Sequence, residues 1–409
     1  MTTQFISELK SKLKISKDIM IEGYEGVNLK AYDKNNKVLN FSPGPTALPE
    51  EVMTSIINEL MNEWTLGVTP LEISHRSPEF LKIKDSCEEL FTELLEIPND
   101  YSLIWTHGGG HGQFSAVPLN LTKDSEDSPI YFVNGTWSNR SFLEAKKFCN
   151  PQKVSLENYT TEALKDLFKS DAPYLYFCSN ETINGFEFRN DGIPIPSKED
   201  TNNKIVVVDM SSDILSKRIN WNNIDVAFAC APKNFGFPGS SITIINNNLL
   251  NKSFQYYQKS IPSLLDWKLI KDSESFWNTL PVFNIYVTDK ILKYYKKIGG
   301  IKELEEISKK KAEIIYSILD SEEMYQPLIN NLDLRRSRMN IPFYLKNKEN
   351  TKLFLDNAFI NNIVGFKTKT PFSDPENPDP LRISLYNPIT LEDTVTLAVF
   401  MKEFAKLFY

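Results

Sequence analysis

Between about residue 50 and residue 290, short apolar runs alternate with stretches in which apolar residues recur at helical spacing. Short apolar runs bounded by turn residues are typical of buried strands. Strands separated by helical stretches are typical of a parallel sheet covered by helices. The pattern therefore predicts an α/β domain with a largely parallel sheet. The predicted strands are Ser102–Thr106, Ile130–Val133, Tyr174–Cys178, Ile205–Val208, Val226–Ala229 and Ser241–Ile245.

The pattern changes on either side of this region. Residues before about 40 are polar and charged, which predicts a surface helix followed by a loose arm. Beyond 290, a charged helical stretch from Asp289 to Asp320 precedes the strand-like RSRMNIPFYL, a helical stretch, a Pro-rich segment, the strand-like RISLY and a final helix. This order predicts a smaller α+β unit. We therefore predict an N-terminal extension at 1–38, a large domain at 39–290 and a small C-terminal domain at 291–409.

Composition narrows the class of protein. A chain of 409 residues exceeds the ~100–200 residues of a typical domain, which agrees with two domains. The net charge of -7 argues against a general nucleic-acid binder, which needs a basic surface. No apolar stretch approaches the ~20 residues of a membrane span, so no membrane association is expected.

The cysteines and the N-terminus bear on location. The four cysteines are scattered without close pairs, which in a chain of this length indicates buried, reduced thiols. The N-terminal segment has acidic residues and no apolar core, so a secretory or mitochondrial signal is not expected. Both features favour a cytoplasmic protein.

Two charged residues stand at the predicted ends of strands. Asp209 directly follows Ile205–Val208, and Lys233 lies among apolar and small residues after Val226–Ala229. Ligands of open α/β sheets bind at the carboxyl ends of strands. Apolar neighbours would desolvate the Lys233 amine, lower its pKa and make it a usable nucleophile. A metal ligand, a base or a helix cap is the alternative role for Asp209, and a surface cation is the alternative for Lys233. The pair nevertheless fits pyridoxal phosphate (PLP), which needs an imine-forming lysine and a carboxylate at its ring nitrogen.

A glycine-rich loop, His107-Gly-Gly-Gly-His-Gly-Gln113, follows the predicted strand Ser102–Thr106. A strand, a glycine turn and a helix form an anion cradle, with backbone N–H groups directed at a phosphate. The Gly-Lys-Ser/Thr ending of a nucleotide-binding loop is missing. His107 and His111 are too poorly supported by carboxylates to indicate a metal site, so no metal is predicted.

Two further loops follow predicted strands. Trp137 comes after Ile130–Val133, where an aromatic side chain is either core filler or a platform for a flat ring. The segment Ser179-Asn-Glu-Thr-Ile183 follows Tyr174–Cys178 and offers hydroxyl and amide groups at the same sheet edge. Capping of a turn or helix is the alternative role for that segment.

Together these loops resemble the phosphoserine aminotransferase family, class V aminotransferases of PLP fold type I. The matching segments fall in family order over roughly residues 39–409, and their number makes the resemblance far more specific than any single motif. They are NFSPGPTALP, ISHRSPEF, HGGGHGQFSAVPLNL, NGTWSNRSFLEAKKF, YFCSNETINGFEF, VVVDMSSDILSKRI, APKNFGFPG, PSLLDW, FWNTLPVFNIY, RSRMNIPF and LRISLYNP.

The resemblance implies a mixed, mostly parallel sheet in the large domain, a smaller α+β C-terminal domain, and PLP as cofactor. It implies a transaminase of serine biosynthesis that converts 3-phosphohydroxypyruvate and L-glutamate to O-phospho-L-serine and 2-oxoglutarate. By the same resemblance, Lys233 would carry the cofactor as a Schiff base and Asp209 would pair with the pyridinium nitrogen. Trp137 would stack on the ring, and Thr182 would bond the ring oxygen O3′.

The resemblance also implies how the cofactor phosphate is held. Gly110 and His111 would bind it through backbone amides. Asn278 and Thr279 would reach the phosphate of the neighbouring subunit's cofactor, which implies a homodimer with shared active sites.

For the substrate, the resemblance assigns Arg382 to the carboxylate and His75 with Arg76 to the phosphate, since an arginine fork binds both anions well. The chain departs from the family at 365–382, where Gly-Phe-Lys and a Pro-rich insertion replace the family's Gly-His-Arg and short glycine turn. Lys367 could supply a charge there, although as a point charge rather than a fork.

Two prolines also depart from the family. Pro232 stands where a phosphate-binding Gln is usual, and Pro43 where a small residue meets the substrate. These departures leave three alternatives to a phosphoserine enzyme. The chain could be a related transaminase for another oxo acid, or a catalytically inactive dimeric homologue, which the retained Lys233 and Asp209 disfavour. A lyase or desulfurase needs a cysteine on a mobile loop, whereas Cys230 lies in a predicted strand.

Overall fold

The structure is a computed structural model, and it describes residues 38–63, 68–155, 167–168, 170–251, 261–330, 335–366 and 380–409. The extension predicted at 1–38 therefore lies outside the described residues except for Val38, and Lys367 lies outside them as well. No helix in the described part of the chain is long and apolar enough to cross a membrane.

The described chain alternates helices and strands through most of its length. The helices are α1 (Glu50–Asn58), α2 (Pro78–Leu95), α3 (Gly109–Leu121), α4 (Thr136–Ala145), α5 (Asn247–Asn251), α6 (Trp267–Asp272), α7 (Val282–Lys297), α8 (Gly300–Ser321), α9 (Asn350–Ile360) and α10 (Leu391–Phe408). The strands are β1 (Leu39–Asn40), β2 (Tyr101–Thr106), β3 (Ile130–Phe132), β4 (Gln152–Val154), β5 (Tyr174–Cys178), β6 (Ile205–Asp209), β7 (Val226–Cys230), β8 (Ser241–Asn246), β9 (Tyr325–Pro327), β10 (Asn340–Leu345), β11 (Ile363–Val364) and β12 (Leu381–Ser384).

A seven-stranded sheet in the order β2-β8-β7-β6-β5-β3-β4 forms the centre of the large unit. Its strands are parallel except β8, which is antiparallel to β7 and β2. This confirms the predicted mixed, mostly parallel sheet. Because the strands other than β8 point the same way, the loops after β2, β3, β5, β6 and β7 meet at one edge.

Helices cover both faces of this sheet. Along β5, Leu175 and Phe177 pack into one core and Tyr174 and Tyr176 into the other, as alternation along a strand requires. The helix pair α2 and α7 lies over the first face. The first turn of α2 is capped by Ser77, whose hydroxyl accepts a bond of 3.2 Å from the Phe80 N–H.

A second hydrophobic core lies in the C-terminal unit. It contains the antiparallel sheet β12-β10-β9, the helices α9 and α10, and the C-terminal part of α8. The short strand β1 pairs in parallel with β11, so Leu39 and Phe41 pack into this core although they come early in the chain.

The two cores do not separate at residue 290. Helix α7 runs across that position, and Ile291 and Tyr295 pack into the core of the large unit. Along α8 the chain passes from one core to the other, with Leu304 in the first and Ala312 in the second. The division into domains itself stays a prediction.

The helical stretch predicted from Asp289 to Asp320 belongs to two helices, α7 and α8. The turn between them includes Gly299 and the first residue of α8, Gly300, whose φ angles are 115° and 70°. Side-chain-bearing residues avoid this left-handed backbone, so the glycine pair permits a sharp turn between the helices.

Candidate active site

A cavity of about 420 Å³ opens where the loops at the carboxyl edge of the large sheet meet β12 of the C-terminal unit. Its walls include most of the residues singled out in the sequence. Those lining it are Gly110, His111, Trp137, Thr182, Asp209, Lys233 and Arg382. Residues at or just after the carboxyl ends of five strands, together with Arg382 of the C-terminal sheet, thus converge on one space.

The glycine-rich loop forms the start of α3. Gly108 and Gly109 have positive φ angles, and the first intrahelical bond to the loop runs from the Gly112 N–H to the Gly108 carbonyl at 3.0 Å. No side chain caps this end. The first-turn N–H groups, including those of Gly110 and His111, are therefore available to an anion, which the helix dipole also favours.

Ser211 adds a hydroxyl beside this cradle. A methyl group built on Gly110 would lie 3.7 Å from Ser211 Oγ, so the two residues are close. The hydroxyl is buried and has no hydrogen-bond partner among the described residues, although it lines the cavity. A buried donor without a partner next to a helix N-terminus fits a phosphate group.

Asp209 is the last residue of β6 and is almost fully buried. Its Oδ1 accepts a 2.9 Å bond from the Ser211 N–H. Burial raises the pKa of the carboxyl group above its usual range, while the nearby Lys233 and Ser211 act against this increase. A buried carboxylate of this kind suits a cationic partner in the cavity.

Lys233 lies in the turn after β7, with its amine 5.4 Å from the centroid of the Trp137 ring. The predicted lowering of its pKa is wrong. Burial does lower the pKa of the amine, but Cys230, Tyr386 and Asp209 outweigh burial and raise the pKa above its ordinary value. Tyr386 comes from the C-terminal unit, so the sequence around Lys233 could not reveal it.

Trp137 and Thr182 contact each other across the cavity wall. The indole Nε1 donates a 2.7 Å hydrogen bond to Thr182 Oγ1. The hydroxyl group can still donate its own proton into the cavity. His111 lies edge-on to Trp137, with ring centroids 5.8 Å apart.

Two arginines line the cavity. Arg382 is buried in β12 and donates a 2.7 Å bond to the Thr182 carbonyl. Arg140 lies over the Trp137 ring, with its guanidinium carbon 4.8 Å from the ring centroid. The cavity therefore presents cations suited to an anionic substrate.

Four of the residues singled out in the sequence do not line this cavity. His75 lies against Phe276, with ring centroids 6.3 Å apart, and Asn278 Nδ2 lies 3.5 Å from His107 Nε2. Arg76 and Thr279 are exposed. Trp277, which directly precedes Asn278 and Thr279, is also exposed, at 52%.

Three of the expected departures from the family lie within the described residues. Pro43 and Pro232 both line the cavity, and the Pro43 carbonyl accepts a 2.9 Å bond from the Tyr386 hydroxyl. Phe366, which the resemblance sets at the position of the family's His, is buried in the C-terminal core and packs against Phe354 with ring centroids 5.3 Å apart. Phe366 therefore provides no polar group to a substrate.

Three cavity or supporting residues were missed in the sequence. Ser211 and Arg140 line the cavity, and the buried Glu181 bonds the Trp137 N–H behind it. Ser211 follows Asp209 closely, and that spacing could have drawn attention to it. Arg140 lies one helical turn after Trp137, so it could also have been considered.

No group of three or more metal-ligating side chains occurs among the described residues. The cysteines Cys87, Cys149 and Cys178 are buried, Cys230 is partly buried, and none forms a disulfide.

The chain is similar to known proteins over most of its length. The model of the family described as aminotransferase class-V matches residues 38–397. A phosphoserine aminotransferase of Buchnera aphidicola subsp. Cinara cedri is 37% identical over 380 residues, which cover 91% of this chain and 99% of that protein. The phosphoserine aminotransferase of Blochmanniella floridana is 35% identical over 376 residues, covering 90% and 99%.

Solved structures agree with these matches. The phosphoserine aminotransferase from Bacillus circulans subsp. alkalophilus superposes with a TM-score of 0.80 at 28% identity, over 90% of this chain and 99% of that chain. The PLP-bound phosphoserine aminotransferase from Trichomonas vaginalis gives a TM-score of 0.77 at 29% identity, over 90% and 100%.

Proposed function

The chain belongs to the aminotransferase class-V family, and we infer from this premise that it is a PLP-dependent phosphoserine aminotransferase of serine biosynthesis. It exchanges amino groups between L-glutamate and 3-phosphohydroxypyruvate, with O-phospho-L-serine and 2-oxoglutarate as products. One observation supports this conclusion most strongly. The chain matches phosphoserine aminotransferases over nearly their full length, and it places a lysine and a carboxylate in one cavity.

The cavity residues fit PLP. When bound, PLP supplies an aldehyde that condenses with amino groups and a ring that accepts electrons from the substrate. The first-turn amides of Gly110 and His111, with the Ser211 hydroxyl, are suited to the phosphate. The Ser211 hydroxyl offers a donor in the cavity that Pro232, which has no side-chain donor, also lines.

Asp209 and Lys233 carry the proposed chemistry. The Asp209 carboxylate, buried and bonded to the Ser211 N–H, would hold a positive charge on the ring nitrogen. That positive charge would neutralise the Asp209 carboxylate, and Asp209 would then no longer help to raise the pKa of Lys233. Lys233 would bind the cofactor covalently and, when released, would move the proton at the substrate's α-carbon as general acid and base.

The remaining cavity residues would orient the ring and the substrate. The Trp137 indole would lie on the ring face, and the Thr182 hydroxyl would donate to its oxygen O3′. Arg382, held by its bond to the Thr182 carbonyl, would bind the substrate carboxylate.

We further propose a homodimer in which each subunit completes the other's site. Asn278 and Thr279 of the partner subunit would bind the cofactor phosphate, and His75 and Arg76 of the partner subunit the substrate phosphate. The surface near these residues supports this proposal. Trp277, which precedes Asn278 and follows the Phe276 that His75 contacts, is exposed at 52%. Large exposed aromatic side chains are typical of interfaces.

A related transaminase for another oxo acid is the second candidate. Phe366 favours it, because a buried phenyl group stands where the family has a histidine for the substrate phosphate. The arginines that line the cavity and the residues proposed to come from the partner subunit still suit a phosphorylated substrate.

We propose a cytoplasmic location, which four cysteines without a disulfide support.

Replacement of Lys233 by alanine tests the proposed chemistry. Purified wild-type protein is expected to show visible absorbance from bound PLP and to transaminate glutamate. Lys233→Ala is expected to lose the lysine-dependent absorbance and at least about 10³-fold in rate, with an unchanged circular dichroism spectrum. A Lys233→Ala protein with near wild-type turnover would contradict the proposed role of Lys233.

A further inference from the structure

Glu181 is a fully buried carboxylate that bonds the backbone of Trp137, a residue lining the cavity. It follows β5 and reaches the start of α4. Its Oε2 accepts a 2.9 Å bond from the Trp137 N–H, and its Oε1 accepts bonds of 2.7 Å and 2.5 Å from the N–H and hydroxyl of Ser138. These N–H groups belong to the first helical turn, where no intrahelical partner exists. Glu181 therefore caps α4 from a different segment of the chain.

Gly135 leaves room for this carboxylate because it has no side chain. A methyl group built on Gly135 would lie 2.4 Å from Glu181 Cδ, far inside van der Waals contact. Gly135 also has no side chain with which to cap α4 itself. The glycine and the glutamate are thus complementary, since one makes room for the cap that the other supplies.

The cap acts on the residue that faces the cavity. Glu181 holds the Trp137 backbone, while the adjacent Thr182 accepts a 2.7 Å bond from the Trp137 indole. The carbonyl of Thr182 in turn accepts the bond from Arg382. Two consecutive residues therefore fix both ends of Trp137 and connect it to the arginine in β12.

A carboxylate suits this position better than an amide. Burial raises the pKa of Glu181, and the bonds from Ser138 and Trp137 oppose that increase. The positive end of the α4 dipole also favours an anion. A glutamine of the same shape would direct an NH₂ group at one of the N–H donors and lose at least one charge-assisted bond.

We propose that Glu181 is a positioning residue, which holds the first turn of α4 so that Trp137 is set to receive the cofactor ring. This rests on the proposed function, in which Trp137 lies on the PLP ring. Glu181 touches neither cofactor nor substrate, and it acts through Trp137.

The test compares Glu181→Gln with Glu187→Gln. Glu187 is similarly buried in the same segment, but its carboxylate bonds Lys217 and the Arg338 N–H rather than the first turn of α4. Each cofactor-stripped protein is titrated with PLP by absorbance, and its melting temperature is recorded. Glu181→Gln is expected to raise the Kd for PLP about tenfold or more, as loss of one charge-assisted bond implies. Glu187→Gln is expected to lower the melting temperature without changing the Kd.

Ser138→Ala gives a milder variant should Glu181→Gln fail to fold. It removes one of the three donors to Glu181, together with the acceptor of the Asn134 and Gly135 N–H groups, and is expected to raise the Kd in the same direction, by about threefold. An unchanged Kd in Ser138→Ala and Glu181→Gln, or an equal rise in Glu187→Gln, would overturn the positioning role while leaving the enzyme a PLP transaminase. Wild-type protein that binds no PLP would overturn the proposed function and this inference together.

Discussion

Lys311, fully buried in α8, donates a 2.8 Å hydrogen bond to the carbonyl of Tyr386 in the loop after β12. Its ammonium also bonds the carbonyls of Leu385 and Ile389, at 2.9 Å and 2.8 Å. The same loop contacts the cavity, because the Tyr386 hydroxyl bonds the Pro43 carbonyl. A single buried lysine thus fixes the loop that brings Tyr386 to the neighbourhood of Lys233.

The stability of the protein should therefore depend on pH through Lys311. Burial lowers its pKa to about 7, against the opposing charge of Asp393. Between that value and the ordinary lysine pKa of about 10.4, the unfolded chain binds a proton that the folded chain does not, so stability rises with pH. Relative to Lys311→Met, the free energy of unfolding of the wild type should increase by roughly 1–3 kcal/mol from pH 7 to pH 9.

Urea denaturation of both proteins at several pH values, at fixed protein and cofactor concentration, measures this difference. Methionine has a similar length and no titrating group, so other ionisable groups contribute equally to both curves. Parallel stability curves over this range would contradict a lowered Lys311 pKa.

Asp209→Asn is expected to bind PLP and to lose activity by about 10²-fold or more, because the ring nitrogen loses its anionic partner. The fold should persist, since asparagine keeps the oxygen that accepts the Ser211 N–H. Single-turnover rates with saturating PLP separate this loss from weak cofactor binding. A correctly folded Asp209→Asn enzyme with wild-type single-turnover rates would show that Asp209 serves the structure only.

Mixed dimers test whether the active sites are shared. Lys233→Ala lacks the proposed catalytic lysine, and Arg76→Ala lacks the arginine proposed to act in the partner's cavity. If two-fold symmetry places Arg76 of one subunit in the other's site, a mixed dimer has one intact site. Random mixing of equal amounts should then restore about a quarter of wild-type activity toward phosphoserine.

The two homodimers serve as the controls, and each should remain far less active than the mixture. A mixture with only the averaged activity of the two homodimers would mean that Lys233 and Arg76 do not meet across the subunits.

Much of the fold and cavity could be predicted because their signals are local. Asp209 follows a β-branched run, and the glycines at 108–110 follow a strand, so their positions at the sheet edge come directly from neighbouring residues. The relationships that were missed join distant segments. Glu181 caps a helix because Gly135 leaves room for it, and Tyr386 of the C-terminal unit helps raise the Lys233 pKa. Helix α8 likewise joins two cores, which a charge pattern alone does not indicate.

The values of kcat/KM for O-phospho-L-serine and L-serine, measured in wild type and in Arg76→Ala, test the proposed function most directly. A charge-assisted bond to a phosphate contributes about 1.5–3 kcal/mol, or roughly ten- to hundredfold in kcat/KM. The wild type should therefore prefer phosphoserine by about 10²-fold or more, as several such bonds imply. Arg76→Ala should lose about ten- to hundredfold with phosphoserine and little with serine. Equal kcat/KM for the two substrates in the wild type would contradict a phosphoserine aminotransferase and favour a related transaminase for another oxo acid.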